Sequence, residues 1–232
     1  KKDLRSFYRV RGPLTKKFLP NEFVYLEHEV TSAEDPFYAI VREAGDESVL
    51  LEAISDYTNK KNAVWGITAR NREQNFALNL LMNPEVDFVT LLGQAGTGKT
   101  LLALATGLTQ VLDQKRYGEI IMTRVTVPVG EDIGFLPGTE EEKMAPWMGA
   151  LEDNLEILAL NSNPSFRKDG DVTPKDKKWG RGATQDFVGS KIRVKSLNFM
   201  RGRTFFKKWL IIDEAQNLTP KQMKTLVTRA GP

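Results

Sequence analysis

The sequence predicts an α/β fold with a mainly parallel sheet, and three features carry that expectation. Residues Gly93-Gln94-Ala95-Gly96-Thr97-Gly98-Lys99-Thr100 match the phosphate-binding pattern G-x-x-x-x-G-K-[ST] in full. Before them, Phe88-Val89-Thr90-Leu91-Leu92 reads as a buried parallel strand. After them, Leu101, Leu102, Leu104, Ala105, Leu108, Val111 and Leu112 are spaced for one face of a helix. Further along, Trp209-Leu210-Ile211-Ile212 runs into Asp213-Glu214. That pattern suits a central strand delivering carboxylates to the edge where open α/β sheets bind ligands.

The elements follow in order. Residues 1–61 contain short β-like runs at 22–27, 37–42 and 48–52, separated by Asn, Asp, Gly and Pro. They form a β-rich N-terminal segment, either a small module or an arm packed on the main domain, and Asn59-Lys60-Lys61-Asn62 is the connector. From there, 62–232 alternates strand and helix. A helix at 71–82 follows a cap at Thr68 or Asn71, then come strand 87–92, the glycine loop and helix 99–113. Strand 118–123 leads into a loop carrying Pro128, Gly130, Gly134, Pro137 and Gly138. A helix at 139–160 starts with Glu140-Glu141-Glu142, acids that suit its dipole. Residues 161–190 are polar and weakly patterned and read as a loop. Strands at 191–196 and 209–213 and a helix at 219–229 complete the order.

The motifs specify a chemistry. Gly93, Gly96 and Gly98, with Gln94, Ala95 and Thr97 between them, let backbone N–H groups approach phosphate oxygens, and the helix that follows adds partial positive charge. Lys99 is placed to reach the β- and γ-phosphates, and the Thr100 hydroxyl to bind Mg²⁺. Asp213 fits as a direct or second-sphere Mg²⁺ partner, and Glu214 as the general base that polarises a water. Gln216 suits either a γ-phosphate contact or a surface glutamine in a helical turn. The implied ligands are ATP and Mg²⁺, with Lys99 and Glu214 as the catalytic pair.

Composition sets the outer bounds. The 232 residues are 41% apolar, enough for one sizeable core plus an appendage. No cysteine is present, which excludes disulfides and thiolate metal sites, and His28 is the sole histidine, which excludes histidine clusters. With no apolar run of 18 residues and no signal-like N-terminus, a cytoplasmic protein is expected. Net charge is only +3 but unevenly spread. Residues 175–208 hold eleven Lys/Arg against Asp176 and Asp186, interleaved with Trp179, Phe187, Phe199, Phe205 and Phe206. Cations mixed with rings suit single-stranded nucleic acid. The competing reading puts Phe199, Phe205 and Phe206 in a core beneath a solvated lysine face.

The element order resembles a RecA-like P-loop NTPase core, although such a core continues with at least one further strand after the acidic one. A closer resemblance lies in Arg124 followed by Val127-Pro128-Val129-Gly130-Glu131-Asp132-Ile133-Gly134-Phe135-Leu136-Pro137-Gly138. Gly66-Ile67-Thr68-Ala69-Arg70-Asn71 with Gln74, Phe199-Met200-Arg201-Gly202-Arg203-Thr204 and Asp213–Pro220 extend it. These segments resemble the PhoH-like ATPase family, and Asn21-Glu22-Phe23-Val24 resembles the branch in which a PIN ribonuclease domain precedes the PhoH domain. The resemblance implies an RNA helicase-type ATPase in which Gln74 reads the adenine edge. It also implies that Arg124 and Arg201 or Arg203 contact RNA or a neighbouring subunit's phosphates. A PIN domain upstream and a homo-oligomeric, even hexameric, ring are implied partners. Val125 stands where the pattern has proline, and the later helicase motifs and an arginine finger are absent from these residues. A small-molecule kinase and a nucleotide-dependent assembly module are the competing classes.

Overall fold

The computed structural model describes residues 5–13, 15–26, 37–124, 149, 151–158, 189–195 and 204–231. The three N-terminal runs form β2 (Phe23–Leu26), β3 (Phe37–Ala44) and β4 (Ser48–Ala53), joined by β1 (Phe7–Arg11). They make one antiparallel sheet in the order β1-β4-β3-β2. Strand β1 was not among the expected elements. Its sequence Phe-Tyr-Arg-Val-Arg is exposed at every position, so it lacks the one-sided burial that alternation detects. It is defined instead by non-local pairing, from Phe7 opposite Glu52 to Arg11 opposite Ser48. Arginines along an edge strand also guard it against pairing with other chains.

One face of this sheet buries Ala39, Val41, Val49 and Leu51, with Phe18, Val24 and Phe37 packed against them. Helix α1 (Arg72–Met82) covers part of the other face through Phe76. That ring stacks on Phe23 at 4.4 Å and meets Tyr38 edge-on at 5.9 Å between centroids. Buried Asn75 accepts the Tyr57 N–H at 2.8 Å, tying the segment ahead of the connector to the helix. The chain therefore divides into a compact unit of Lys1–Asn62 with Ala69–Leu80 and a second of Ala63–Thr68 with Leu81–Pro232.

In the second unit, β5 (Glu119–Arg124), β6 (Ile192–Val194) and β7 (Lys208–Asp213) form a parallel sheet in the order β6-β5-β7. Helix α2 (Lys99–Leu108) runs directly into a π-helical turn (Thr109–Asp113), so the expected span 99–113 is helical with a widened last turn. Trp209 anchors β7 to α2: its indole N–H donates to Ala103 O at 3.2 Å, and its ring lies where a Cβ on Gly107 would come within 2.7 Å. Any side chain at Gly107 would displace that ring. On the other face, Ile121, Phe205 and Leu226 form a core with Leu210, Ile212 and Leu218. Leu226 comes from helix α3 (Pro220–Val227), which begins at a Thr219–Gln222 capping box. Residues 151–158 are helical, within the expected helix 139–160; its remainder, the glycine/proline loop before it and most of 161–190 lie outside the described residues.

Glu119 fastens the three strands at their start. It accepts from Arg193 on β6 at 2.6 Å and from Lys208 on β7 at 3.0 Å. Burial alone would raise its carboxyl pKa, but the two cations outweigh that and hold it below the ordinary carboxylate value.

One expected element is corrected. Residues 87–92 are not a strand: Phe88 is 60% exposed and Leu92 98% exposed, and among the described residues no strand pairs with them. An apolar run is locally compatible with a strand but becomes one only when a neighbour satisfies its backbone.

Candidate functional site

The register of the parallel sheet builds the site. Trp209 faces α2, so Ile211 and Asp213 face it too, because side chains alternate along a strand. From Trp209 to Asp213, β7 advances about 13 Å, while α2 runs about 10 Å back from Gly107 to Thr100. The two ends therefore meet: the Thr100 hydroxyl donates to Asp213 Oδ1 at 3.3 Å across 113 residues of sequence. This juxtaposition links the loop motif to the acidic motif.

The loop itself is open. Gly93 to Thr97 are exposed, and Gly96 and Gly98 take φ of 76° and 83°, left-handed values that cost a glycine nothing. Gly98 is the N-cap of α2 and, having no side chain, supplies no side-chain cap of its own. Contrast α3, whose first turn is closed by Thr219 and Gln222. The Lys99 ammonium folds over the loop, donating to Gly93 O at 2.8 Å and Gln94 O at 2.7 Å. Thr97 closes the turn with a 2.8 Å bond to Gln94 O. A cation, a helix N-terminus whose N-cap is a glycine and left-handed glycines meet in one exposed loop, an arrangement suited to an anionic phosphate chain.

The acids end β7. Asp213 lies directly opposite Arg124, the last residue of β5. Glu214 turns out of the strand in the left-handed region, at φ 53°. Its Oε1 lies 3.6 Å from the Arg124 guanidinium, and its Oε2 accepts from Gln216 Nε2 in a short contact. No group of three or more metal-ligating side chains occurs among the described residues. Mg²⁺ does not need one, since it binds through one or two protein oxygens plus substrate phosphates. Thr100 and Asp213 fit that limited donor set.

The remaining candidates belong to the other unit or lie outside the described residues. Gln74 sits in the first turn of α1, in the N-terminal unit, where its carbonyl accepts the Arg70 N–H at 2.8 Å and its own N–H is capped by Asn71 Oδ1. Arg201 and Arg203 lie outside the described residues. Of the basic–aromatic block, Phe205 is core, whereas Phe206 is 58% exposed with the Lys207 ammonium 5.5 Å from its ring. Sequence reasoning missed the Arg124–Glu214 contact, because it depends on strand register. The Gln216–Glu214 contact is local, and the spacing E-x-Q in a turn was its available signal.

Comparison with known proteins settles the family. The profile described as PhoH-like protein matches residues 66–232. The chain belongs to the PhoH-like family. It is 41% identical to Protein PhoH2 of Bacillus subtilis (strain 168) over 214 residues, 92% of this chain and 43% of that protein. It is 37% identical to Protein PhoH2 of Mycolicibacterium smegmatis over 169 residues, 72% of this chain and 34% of that one. A second Bacillus subtilis relative, named PhoH-like protein, is 32% identical over 201 residues, 86% of this chain and 56% of that protein. This PhoH-like chain thus spans less than half the length of the two PhoH2 relatives. PhoH-like proteins are P-loop ATPase-like, in keeping with the α/β unit and its parallel three-stranded sheet. No helix among the described residues is long and apolar enough to cross a membrane.

Proposed function

We propose that this chain is the ATP-binding and ATP-hydrolysing part of a PhoH-type, RNA-directed motor with a RecA-like core. The observation that carries the reading is the 3.3 Å approach of Thr100 to Asp213, which brings the loop motif and the acidic motif together. In that role the loop N–H groups from Gly93 to Thr100 cradle the phosphates. Lys99 exchanges its bonds to Gly93 O and Gln94 O for phosphate oxygens. Thr100 and Asp213 would hold Mg²⁺, which would supply charge neutralisation to the phosphate chain. Glu214 takes the proton of the attacking water, and Gln216 beside it faces the γ-phosphate. Adenine recognition by Gln74 belongs to the same proposal, as do RNA contacts from Arg201 and Arg203. So do completion by an oligomeric ring and a PIN ribonuclease partner.

The charge pattern favours RNA coupling over a plain nucleotide switch, because exposed Phe206 under Lys207 offers a ring and a cation together. The test is phosphate release with single-stranded RNA, with DNA and with neither, across a salt series. RNA should stimulate turnover, with stimulation falling steeply as salt rises. Hydrolysis that ignores polynucleotide and salt would remove the motor and leave a nucleotide-driven assembly module. Transfer of the γ-phosphate to a metabolite without free phosphate would mark a kinase.

A further inference from the structure

Glu214 is the acid proposed as base, yet neither of its oxygens is free. Oε1 lies 3.6 Å from Arg124 Nη2 and Oε2 accepts from Gln216 Nε2. The backbone sets this arrangement. Parallel pairing puts Arg124 beside Asp213, and the left-handed φ of 53° at Glu214 turns the next carboxylate back toward the end of β5. A non-glycine residue takes that conformation only when its surroundings hold it there. Each oxygen keeps a further lone pair, so what the hold at the strand edge limits is the direction in which the carboxylate can accept from a water.

We propose that Arg124 is the positioning residue that restrains Glu214, and that a backbone phosphate of bound RNA releases it by taking the guanidinium. The inference rests on the reading of Glu214 as general base. The pair is built to be broken: Arg124 is 33% exposed and Glu214 38% exposed, so solvent and a polyanion reach both. The nearest approach of Arg124 to the carboxylate is 3.6 Å, long for a charge-assisted hydrogen bond. A phosphodiester offers that guanidinium two oxygens in bidentate geometry, the arrangement arginine favours. An ion pair this exposed shifts an equilibrium only two- to fivefold, which sets the size of the effect. RNA binding then becomes turnover by differential affinity: RNA engages the state in which Arg124 has left Glu214.

The experiment measures phosphate release by the whole protein with and without a single-stranded oligouridylate, for wild type, Arg124→Ala, Arg124→Lys and Glu214→Gln. Arg124→Ala should raise RNA-free turnover two- to fivefold and shrink the RNA-stimulated ratio by the same factor. The affinity for a fluorescent ATP analogue should stay unchanged. Arg124→Lys, which keeps the charge, should return both rates toward wild type; if Arg124→Ala does not fold, Arg124→Lys and Arg124→Gln carry the comparison. RNA-free turnover that is unchanged or lower in folded Arg124→Ala overturns the restraint. A drop would mean that Arg124 serves the nucleotide's own phosphates, and unchanged turnover with lost RNA affinity would make it a plain RNA contact. Failure of the function reading shows in other arms: no turnover in wild type, or full turnover in Glu214→Gln.

Discussion

Glu214→Gln should bind ATP as wild type does and hydrolyse it about 10²–10⁴-fold more slowly, the range a general base contributes. The substitution keeps the size and shape of the side chain at the end of β7 and removes its ability to take a proton. It also removes the negative partner of Arg124, which lies 3.6 Å away and is partly exposed, so folding stability should change by less than about 1 kcal/mol. Single-turnover phosphate release, with binding of a fluorescent ATP analogue and thermal unfolding measured beside it, separates the three effects. Turnover that survives in Glu214→Gln would move the base to another residue.

Lys99→Ala should lose both binding and turnover. The ammonium donates to Gly93 O and Gln94 O across the loop, which shows it at the mouth of the cradle and within reach of whatever the loop holds. A charge-assisted contact to phosphate contributes about 1.5–3 kcal/mol, so affinity should fall about 10–100-fold. Loss of one preorganised cation at the transferring group should slow the remaining turnover by a further 10²–10³-fold, the usual scale for such a donor. A merely structural lysine would give another pattern: its loop carbonyls are exposed and can turn to water, so affinity would hold while stability changed slightly. The two variants together distinguish a residue that binds and catalyses from one that only catalyses.

Much of the site was legible in the sequence because its pieces are local. The glycine loop, the helix after it and the apolar run into Asp213-Glu214 are each contiguous, and each carries its own signal. Helix α3 was legible from Thr219, Pro220 and Gln222, which state a start in four residues. What escaped depends on pairing between distant segments. Strand β1 exists because β4 lies beside it, whereas 87–92 has every local mark of a strand and no described neighbour. The hold of Arg124 on Glu214 likewise follows from the register of β5 on β7, which no spacing in one segment reveals. Of the two caps expected for α1, Asn71 is the one that accepts the Gln74 N–H, whereas the bond from the Arg70 N–H to the Gln74 side chain was not among the sequence expectations.

The most direct test of the central claim is the magnesium dependence of nucleotide binding, measured by titrating a fluorescent ATP analogue with excess Mg²⁺ or with chelator, in wild type and in Asp213→Asn. If Thr100 and Asp213 close on one metal-bound triphosphate, magnesium should tighten wild-type binding at least about tenfold, the scale of one charge-assisted contact. Most of that gain should vanish in Asp213→Asn. Equal affinity with and without magnesium, or a gain that Asp213→Asn leaves intact, would contradict the account.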